Sequence, residues 1–473
     1  MHLSDIEFKR KFSFSPYKDM KIPLATMTFA KDFVNDTRGD LYPALDKDAE
    51  CKESILGNRY SVSGRVRRMF CDFFPYGSYQ LFADIDSGAV GFTFNIKSAE
   101  AKLEITKEEI LYRDDVGNGA VKLPEFAQGV GEFTVSCRPG AFDIYLLHNG
   151  RLEYFHTFIS DSFISSDLHS EFSSGYVSLS VNGKAVIKEV SGFIDNGISL
   201  ADMRTVRYEN GDVMIEDGKV YFTASVRLQA GCYQGVFSWV PGTMTFEMTG
   251  AIFYDAGDGK WCNDVAASML YHREKKKWLL WVCSFAHDHI LAHAEFSGDV
   301  RFGVNVLDVE LMKQTDNKND PRIFSGFPGD EDPDFFFSED EGKWYMAICR
   351  LQPGVRKYRY TFFKSDDPFE GYEYIGSGYE GEETGGSFVK IDGRRYFVCG
   401  NSFKAVSDYR IYDSDGMKNA KFNFSDGGFR GWGTVIPVQR GNRTRLFWIT
   451  FDRHKGSSYN WSYGNFYCFE GEM

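Results

Sequence analysis

Short runs of alternating apolar and polar residues, separated by Gly, Asn and Asp, follow one another along most of the chain. In one run, Val177, Leu179 and Val181 alternate with serines before the dipeptide Asn182-Gly183. Alternation with a period of two places one face of a strand in the core and the other in water. Long stretches with the 3.6-residue period of an amphipathic helix are missing from the sequence. The pattern therefore predicts an all-β protein.

The first part of the chain predicts a β-sandwich. Residues 78–97 read as two strands joined at 86–88, and residues 142–158 read as a hairpin around Asn149-Gly150. Asn-Gly is the dipeptide preferred by type I′ hairpin turns, and a further turn is expected at Asn182-Gly183. Strands with one buried face each form antiparallel sheets that pack face to face. We therefore expect residues 1–197 to form one sandwich.

From about residue 200 the sequence repeats itself. Five segments share a turn followed by a run of aromatic and aliphatic residues, and they begin at residues 217, 275, 341, 392 and 442. Successive starts are separated by 50 to 66 residues, a period that suits the four-stranded blade of a β-propeller. The sequence therefore predicts that residues 198–473 form a five-bladed propeller.

Composition and charge narrow the range of partners. The chain of 473 residues has 44 Phe, 26 Tyr and 8 Trp, residues that favour strands, and a net charge of −13, which argues against a nucleic-acid partner. Its nine cysteines include no Cys-x-x-Cys pair, so neither a zinc site nor a disulfide framework is predicted. The N-terminus lacks an apolar signal core and no apolar run is long enough to span a membrane. We expect no membrane partner and a cytoplasmic protein, or a secreted or periplasmic one if a signal peptide has been removed.

Acidic residues precede the repeated strand in four of the predicted blades. The candidates are Asp212, Asp264, Asp332 and the group Glu380, Glu382 and Glu383. The innermost strands of a propeller line its central channel, so residues at their starts converge at one mouth. Asp334 would share a strand face with Asp332 and could replace it. Paired carboxyl groups at one mouth are typical of a glycosidase.

The motifs around these acids resemble those of five-bladed glycoside hydrolases, chiefly family 43. The segment from Asp332 to Tyr345, DPDFFFSEDEGKWY, is similar to the Ile-Asp-Pro segment that opens blade three in that family, and residues 387–397 are similar to the stretch after Glu-Gly-Pro in blade four. The resemblance covers about 270 residues. Residues 142–158 and 175–195 also resemble concanavalin-like domains.

The sequence departs from family 43 at three places. Residues 211–215 read Gly-Asp-Val-Met-Ile where blade one of the family opens with Asp-Pro, so Asp212 is selected by its position. Thr384-Gly385-Gly386 stands where the family has Glu-Gly-Pro, and Trp432 stands where it has a His in blade five. The change in blade five removes the usual support for a central metal ion, so no metal and no cofactor are predicted.

The resemblance implies hydrolysis by inversion, with Asp212 as base, Asp332 as modulator of the acid's pKa and Glu383 as acid. It implies arabinose-, xylose- or galactose-containing oligo- or polysaccharides as substrates. Residues near the blade junctions are expected to bind the sugar: Trp261, His287, His289, Arg322, Asp334, Arg350 and Trp432.

Two alternatives stay open. The segment from Trp261 to His272 also resembles the nucleophile segment of family 32 fructosidases, which would make Asp264 the nucleophile of a retaining enzyme. The weakened motifs are equally compatible with a propeller that binds carbohydrate without cleaving it, because a fold alone does not establish catalysis.

Overall fold

The computed structural model describes residues 2–26, 50–53, 59–262, 265–287, 290–312, 330–351, 358–378, 382–400, 409–423, 429–452 and 465–473. The chain divides into two compact units. One contains Met1–Met20, Asn196–Asp258 and Cys262–Met473, and the other contains Lys21–Asp195 and Gly259–Trp261.

The described residues are almost entirely β-structure, which confirms the predicted fold class. The helical elements they contain are short: 3-10 turns at Leu3–Asp5, Glu125–Ala127, Asp161–Phe163 and Phe285–His287, and one α-helical turn at His169–Phe172. Within the described ranges, no helix is long and apolar enough to cross a membrane.

The first unit is a five-bladed propeller. Its strands form five sheets, and the inner strand of each sheet contacts the inner strands of the sheets before and after it, so that the fifth returns to the first. These inner strands are Ser199–Thr205, Val265–His272, Asp330–Ser338, Thr384–Ile391 and Phe429–Arg440. The closed order of contacts is that of a propeller with five blades, as the repeats predicted.

Each blade continues outward from its inner strand through antiparallel neighbours, except that Gly303–Asp308 and Lys421–Phe422 pair parallel with theirs. Blade one adds Lys219–Arg227, Cys232–Trp239 and Phe246–Asp255, with Gly303–Asp308 at its edge and Ile215–Glu216 beside its second strand. Blade two adds Lys277–Ser284, Ile290–Phe296 and Glu310–Leu311, with Arg207–Tyr208 parallel to its inner strand. Blade three adds Lys343–Leu351, Tyr358–Ser365 and Glu373–Ser377, and blade four adds Arg394–Gly400, Tyr409–Asp413 and Gly416–Asn419. Blade five adds Arg443–Asp452, Phe466–Glu472, Glu7–Phe14 and Lys421–Phe422.

The five repeated segments occupy one structural position. Each forms the second strand of its blade, which is why it reads as a fully apolar run. Such a strand is covered on both faces by adjacent blades, and Trp281 of blade two, for example, belongs to the same buried cluster as Phe335 and Met346 of blade three. Burial of side chains of this size contributes roughly 1.5–3 kcal/mol each, so the aromatic content of the chain is used to join blades.

The N-terminal residues belong to the propeller, which differs from the predicted division at residue 197. The strand Glu7–Phe14 pairs antiparallel with Phe466–Glu472 and forms the outer part of blade five. Leu3, Ile6 and Phe8 are buried in the cluster that also holds Trp448. The residues Lys21–Asp195 are therefore inserted in the chain between two strands of the propeller.

The second unit contains one sheet of eleven strands. They are Lys21–Thr26, Glu50–Glu53, Tyr60–Asp72, Ser78–Ile96, Ala99–Ile105, Glu109–Asp114, Asn118–Lys122, Val130–Arg138, Ala141–His148, Arg151–Ile159 and Tyr176–Asp195. Side chains from both halves of the long strands Ser78–Ile96 and Tyr176–Asp195 enter a single core. The unit is thus one bent sheet around a common core, and its likeness to concanavalin-like domains stays a prediction.

A row of glycines produces the bend. Gly64, Gly183 and Gly88 lie opposite one another on three adjacent strands, and all three have positive φ. A Cβ on Gly88 would lie 1.9 Å from the carbonyl oxygen of Asn182, so only glycine allows this approach. The turns predicted at 86–88 and 182–183 are therefore wrong, because both positions are bends inside continuous strands.

The hairpin predicted around Asn149-Gly150 is confirmed. Both residues have positive φ, 51° and 78°, as a type I′ turn requires. At Asn182-Gly183 only the glycine has positive φ. The same dipeptide therefore closes a hairpin at one place and bends a strand at the other.

Candidate functional site

The inner strands of four blades share a local distortion near their starts. Each has a β-bulge, and each bulge contains one residue with left-handed backbone conformation: Asp202, Ala266, Asp332 and Gly385, with φ between 55° and 61°. Residues other than glycine seldom adopt this conformation, and aspartate tolerates it better than most. Asp202 and Asp332 thus occupy equivalent positions in blades one and three, at the same end of the ring.

Asp332 is a buried carboxyl group with an elevated pKa. It is 4% exposed, and the hydroxyl of Thr384 in blade four donates to its Oδ2 at 3.1 Å. Burial raises the pKa of Asp332 well above its usual range, and the negative charges of Glu331 and Asp202 add to the rise, whereas the charge of Arg204 opposes it. The group is therefore suited to be a proton donor near neutral pH.

Asp202 has the opposite electrostatic setting. It is also 4% exposed, but Arg227 donates from Nη2 to its Oδ2 at 3.0 Å, and both side chains are buried. This ion pair balances the charge of an ionised carboxylate in a site where an unpaired charge would be costly. Because the charge of Asp202 acts on Asp332, the two carboxyl groups lie within electrostatic reach of each other.

The aspartate predicted for blade one, Asp212, does not lie with Asp332. Asp212 lies in the turn before Ile215–Glu216, nearly half exposed, with its Oδ1 3.0 Å from Nζ of Lys390. Lys390 is at the far end of the blade-four strand whose first residue, Thr384, contacts Asp332. The structure therefore places Asp212 at the opposite end of the ring from Asp332.

The equivalence of Asp202 and Asp332 comes from the structure, because the residues that flank them differ. The sequence Ala-Asp-Met at 201–203 has the same place in its bulge as Glu-Asp-Pro at 331–333. However, Asp202 lies 17 residues before the second strand of its blade, whereas Asp332 lies 11 residues before its own. The additional residues belong to the segment with the short strands Arg207–Tyr208 and Ile215–Glu216. Asp212 lies in that segment, 120 residues before Asp332, and so matched the expected separation of two blades.

Glu383 does not face the other acids. It is fully buried; Arg410 donates to its Oε1 at 3.1 Å, the Tyr412 hydroxyl donates to the same oxygen, and the backbone N–H of Tyr360 donates to Oε2 at 3.0 Å. These donors belong to blades three and four, so the carboxylate lies in the packing between two blades. These contacts do not favour Glu383 as a group that meets a substrate, and its role as the acid stays a prediction; its neighbour Glu382 is partly exposed.

Asp334 has a structural role on the axis. Its side chain is fully buried; Arg207 and the Ser268 hydroxyl, the latter at 2.5 Å, donate to Oδ1, and the backbone N–H of Phe388 donates to Oδ2 at 2.6 Å. The carboxylate therefore links blades two, three and four and has no room for a sugar. These contacts favour a structural role for Asp334, and its predicted role in substrate binding stays a prediction.

Two further predicted sugar-binding residues are used for packing. Arg350 is buried and makes a bidentate ion pair with Asp330 at 2.7 and 2.9 Å within blade three. Trp261 belongs to the second unit, where its ring lies edge-on to Phe172 at 4.5 Å and packs against that unit's core. Neither side chain lies beside the carboxyl pair of Asp202 and Asp332 in the described contacts.

The remaining residues predicted for catalysis or sugar binding are described in part or lie outside the described residues. His287 lies at the end of the second strand of blade two, with its Nδ1 2.8 Å from the Ser284 hydroxyl. Asp264, His289 and Arg322 lie outside the described residues. Only the backbone of Trp432 is described, in the inner strand of blade five.

No protein-family model and no curated protein matches the sequence. Solved structures with similarity to the chain include a family 43 β-1,3-galactosidase with galactodeoxynojirimycin, at 11% identity and a TM-score of 0.38, over 58% of this chain and 90% of that one. An endo-1,4-β-xylanase from Bacteroides thetaiotaomicron has 16% identity and a TM-score of 0.37, over 57% of this chain and 90% of that one. Bacillus subtilis levansucrase has 11% identity and a TM-score of 0.40, over 58% of this chain and 86% of that one. The assignment of the fold rests on the strand order described above, and the assignment of a function rests on the carboxyl pair.

Proposed function

We propose that the protein is a glycoside hydrolase in which Asp332 is the general acid and Asp202 is the general base. The observation that carries the proposal is the difference between these two buried carboxyl groups, one with a raised pKa and one paired with Arg227. Glycoside hydrolysis needs one carboxylic acid that protonates the leaving oxygen and one carboxylate that acts on water or on the sugar. A carboxyl group with a raised pKa beside a carboxylate held in an ion pair is the combination that an acid and a base require.

The proposed reaction proceeds by inversion. Asp332 gives its proton to the glycosidic oxygen as the bond to the anomeric carbon breaks. Asp202 takes a proton from a water molecule that attacks the same carbon from the opposite face. The guanidinium of Arg227 donates to Oδ2 of Asp202 and fixes the orientation of the carboxylate.

A third carboxylate is proposed to assist this pair. Family 43 resemblance places a glutamate at the position of Thr384, whose hydroxyl contacts Asp332 here. Glu382 is two residues earlier, and side chains two positions apart on an extended chain share a face. We therefore propose Glu382 as the carboxylate that complements Asp332, with arabinose-, xylose- or galactose-containing glycans as substrates.

A screen of 4-nitrophenyl glycosides of arabinofuranose, xylose and galactose tests the proposal. On an active substrate, Asp202→Asn and Asp332→Asn should each lower kcat by about 10²–10⁴-fold, the usual contribution of a positioned acid or base. Asp212→Asn is the matched control and should retain full activity, because Asp212 is half exposed at the other end of the ring. NMR of the first product should show inverted anomeric configuration. Full activity of either site variant would refute the assignment.

The second candidate function is carbohydrate binding without cleavage. It is favoured by the presence of Thr384 at the position where family 43 has its acid and by the burial of Glu383. Calorimetric titration with arabino-, xylo- and galacto-oligosaccharides separates the two: binding without turnover between pH 4 and pH 9 would support the binding protein.

A further inference from the structure

Three side chains of different chemical type converge at one end of blade two. They are Asp258, Cys262 and His287, and their ligand atoms all lie within 4.8 Å of one another. The first two lie on the connection between blades one and two, and His287 lies on the short turn that follows the strand Lys277–Ser284. Carboxylate, thiol and imidazole are the three side-chain groups that bind zinc.

The hydrogen bonds of His287 suit a metal ligand. Its Nδ1 is 2.8 Å from the hydroxyl of Ser284, which is fully buried, and its Nε2 is 3.6 Å from Oδ2 of Asp258. The second distance is too long for a hydrogen bond but fits two ligands of one ion. If Nδ1–H donates to Ser284, Nε2 carries the lone pair that a metal requires. Metal-binding histidines are usually held in this way by their other nitrogen.

We propose that Asp258, Cys262 and His287 bind a zinc ion, with a water molecule completing a tetrahedral site. A thiolate and an imidazole favour zinc and related transition metals over calcium or magnesium, which prefer oxygen ligands. Cys262 is 4% exposed and is fixed by the hydrogen bond from its N–H to the carbonyl of Tyr254, so its sulfur is already placed beside the other two ligands.

The site would fasten the connection between blades one and two. Val265 pairs with Cys283, so His287 lies at the same end of blade two as the bulge residue Ala266, the equivalent of Asp202 and Asp332. The segment 256–262 has little regular structure, and an ion that joins it to the turn at His287 would stabilise the rim of the ring. The proposal is independent of the hydrolase assignment, because it uses none of the residues proposed for catalysis.

Cobalt titration of the full chain, after treatment with a chelator, tests the proposal. Binding of one Co²⁺ per chain should produce the charge-transfer absorption of a cobalt–thiolate bond, and Zn²⁺ should displace the cobalt. Cys262→Ser should abolish this absorption, and Cys71→Ser, in the other unit, is the matched control that should retain it. Zn²⁺ should also raise the Tm of the native protein.

Two variants distinguish a metal site with several ligands from a single reactive thiol. His287→Ala should weaken Zn²⁺ binding strongly, and Ser284→Ala should weaken it by about 10–100-fold, the usual effect of losing a partner of a ligating histidine. Absence of a saturable cobalt–thiolate absorption in the native protein would overturn the proposal. So would its persistence in Cys262→Ser, or unchanged Zn²⁺ affinity in both His287→Ala and Ser284→Ala.

Discussion

Two aspartates on one strand, Asp332 and Asp334, should respond very differently to the same substitution. Asp334→Asn removes the charge that faces the buried guanidinium of Arg207. Burial lowers the pKa of Arg207 and the charge of Asp334 opposes that effect, so the guanidinium depends on this partner. An uncompensated buried charge costs about 3–5 kcal/mol. The asparagine amide would also present a donor to the N–H of Phe388 or to Arg207.

Asp332→Asn is the matched control for this prediction. Burial raises the pKa of Asp332 and so favours its protonated form, which asparagine replaces with an uncharged group of the same shape. Asparagine also removes the free energy that the unfolded chain gains when this aspartate ionises, so we expect Asp332→Asn to leave the free energy of unfolding at pH 7 unchanged or to raise it, against a loss of about 3–5 kcal/mol for Asp334→Asn. Urea unfolding followed by circular dichroism measures both values. Equal stability losses, or a larger loss for Asp332→Asn, would refute the structural role of Asp334 and the proposed acid role of Asp332.

Three further predictions follow from the same contacts. The stability that Asp332 contributes is fully present below its unfolded pKa and is lost as pH rises through its raised folded pKa, so the Tm of the native protein relative to Asp332→Asn should fall as pH rises above about 4, the usual pKa of an aspartate in an unfolded chain. Glu383→Gln should lower the Tm sharply, because it removes the carboxylate that faces the buried guanidinium of Arg410; normal stability with activity reduced about 100-fold or more would instead support Glu383 as the acid. Gly88→Ala should cost about 2–5 kcal/mol or prevent folding of the inserted unit, as monitored by limited proteolysis, whereas Gly150→Ala, with open space around its Cβ, should cost about 1–2 kcal/mol.

The propeller could be predicted from the sequence because the pattern of its second strands is repeated. Each second strand is buried on both faces, so the same aromatic and aliphatic run recurs five times with a turn before it. The position of the strand Glu7–Phe14 could not be predicted in the same way. Its neighbour in the sheet, Phe466–Glu472, is at the other end of the sequence, and alternation in a strand carries no information about its partner.

The residues of the site were harder to predict from the sequence, because the direction of their side chains depends on bulges. A bulge adds one residue and changes which side chains face the channel. The spacing suggested Glu383 as the acid, but next to the bulge of blade four it is the hydroxyl of Thr384 that contacts Asp332, whereas Glu383 accepts from the backbone N–H of Tyr360. The resemblance to family 43 identified Asp332, but the six additional residues in blade one displaced the expected position of Asp202. Its left-handed conformation and its contact with Arg227 are visible only in three dimensions.

The pairing of Glu7–Phe14 with Phe466–Glu472 also determines when blade five can be completed during biosynthesis. About 450 residues separate these strands, and at 5–20 residues per second a ribosome needs roughly 20–90 s to make them. During that time the first strand has left the ribosome without its partner, and an unpaired strand edge can associate with other chains. The inserted unit Lys21–Asp195 can complete its own sheet much earlier, since all its strands are made in the first part of that interval. Nascent chains arrested before residue 466 should therefore contain a protease-resistant inserted unit and an open ring that chaperones must protect.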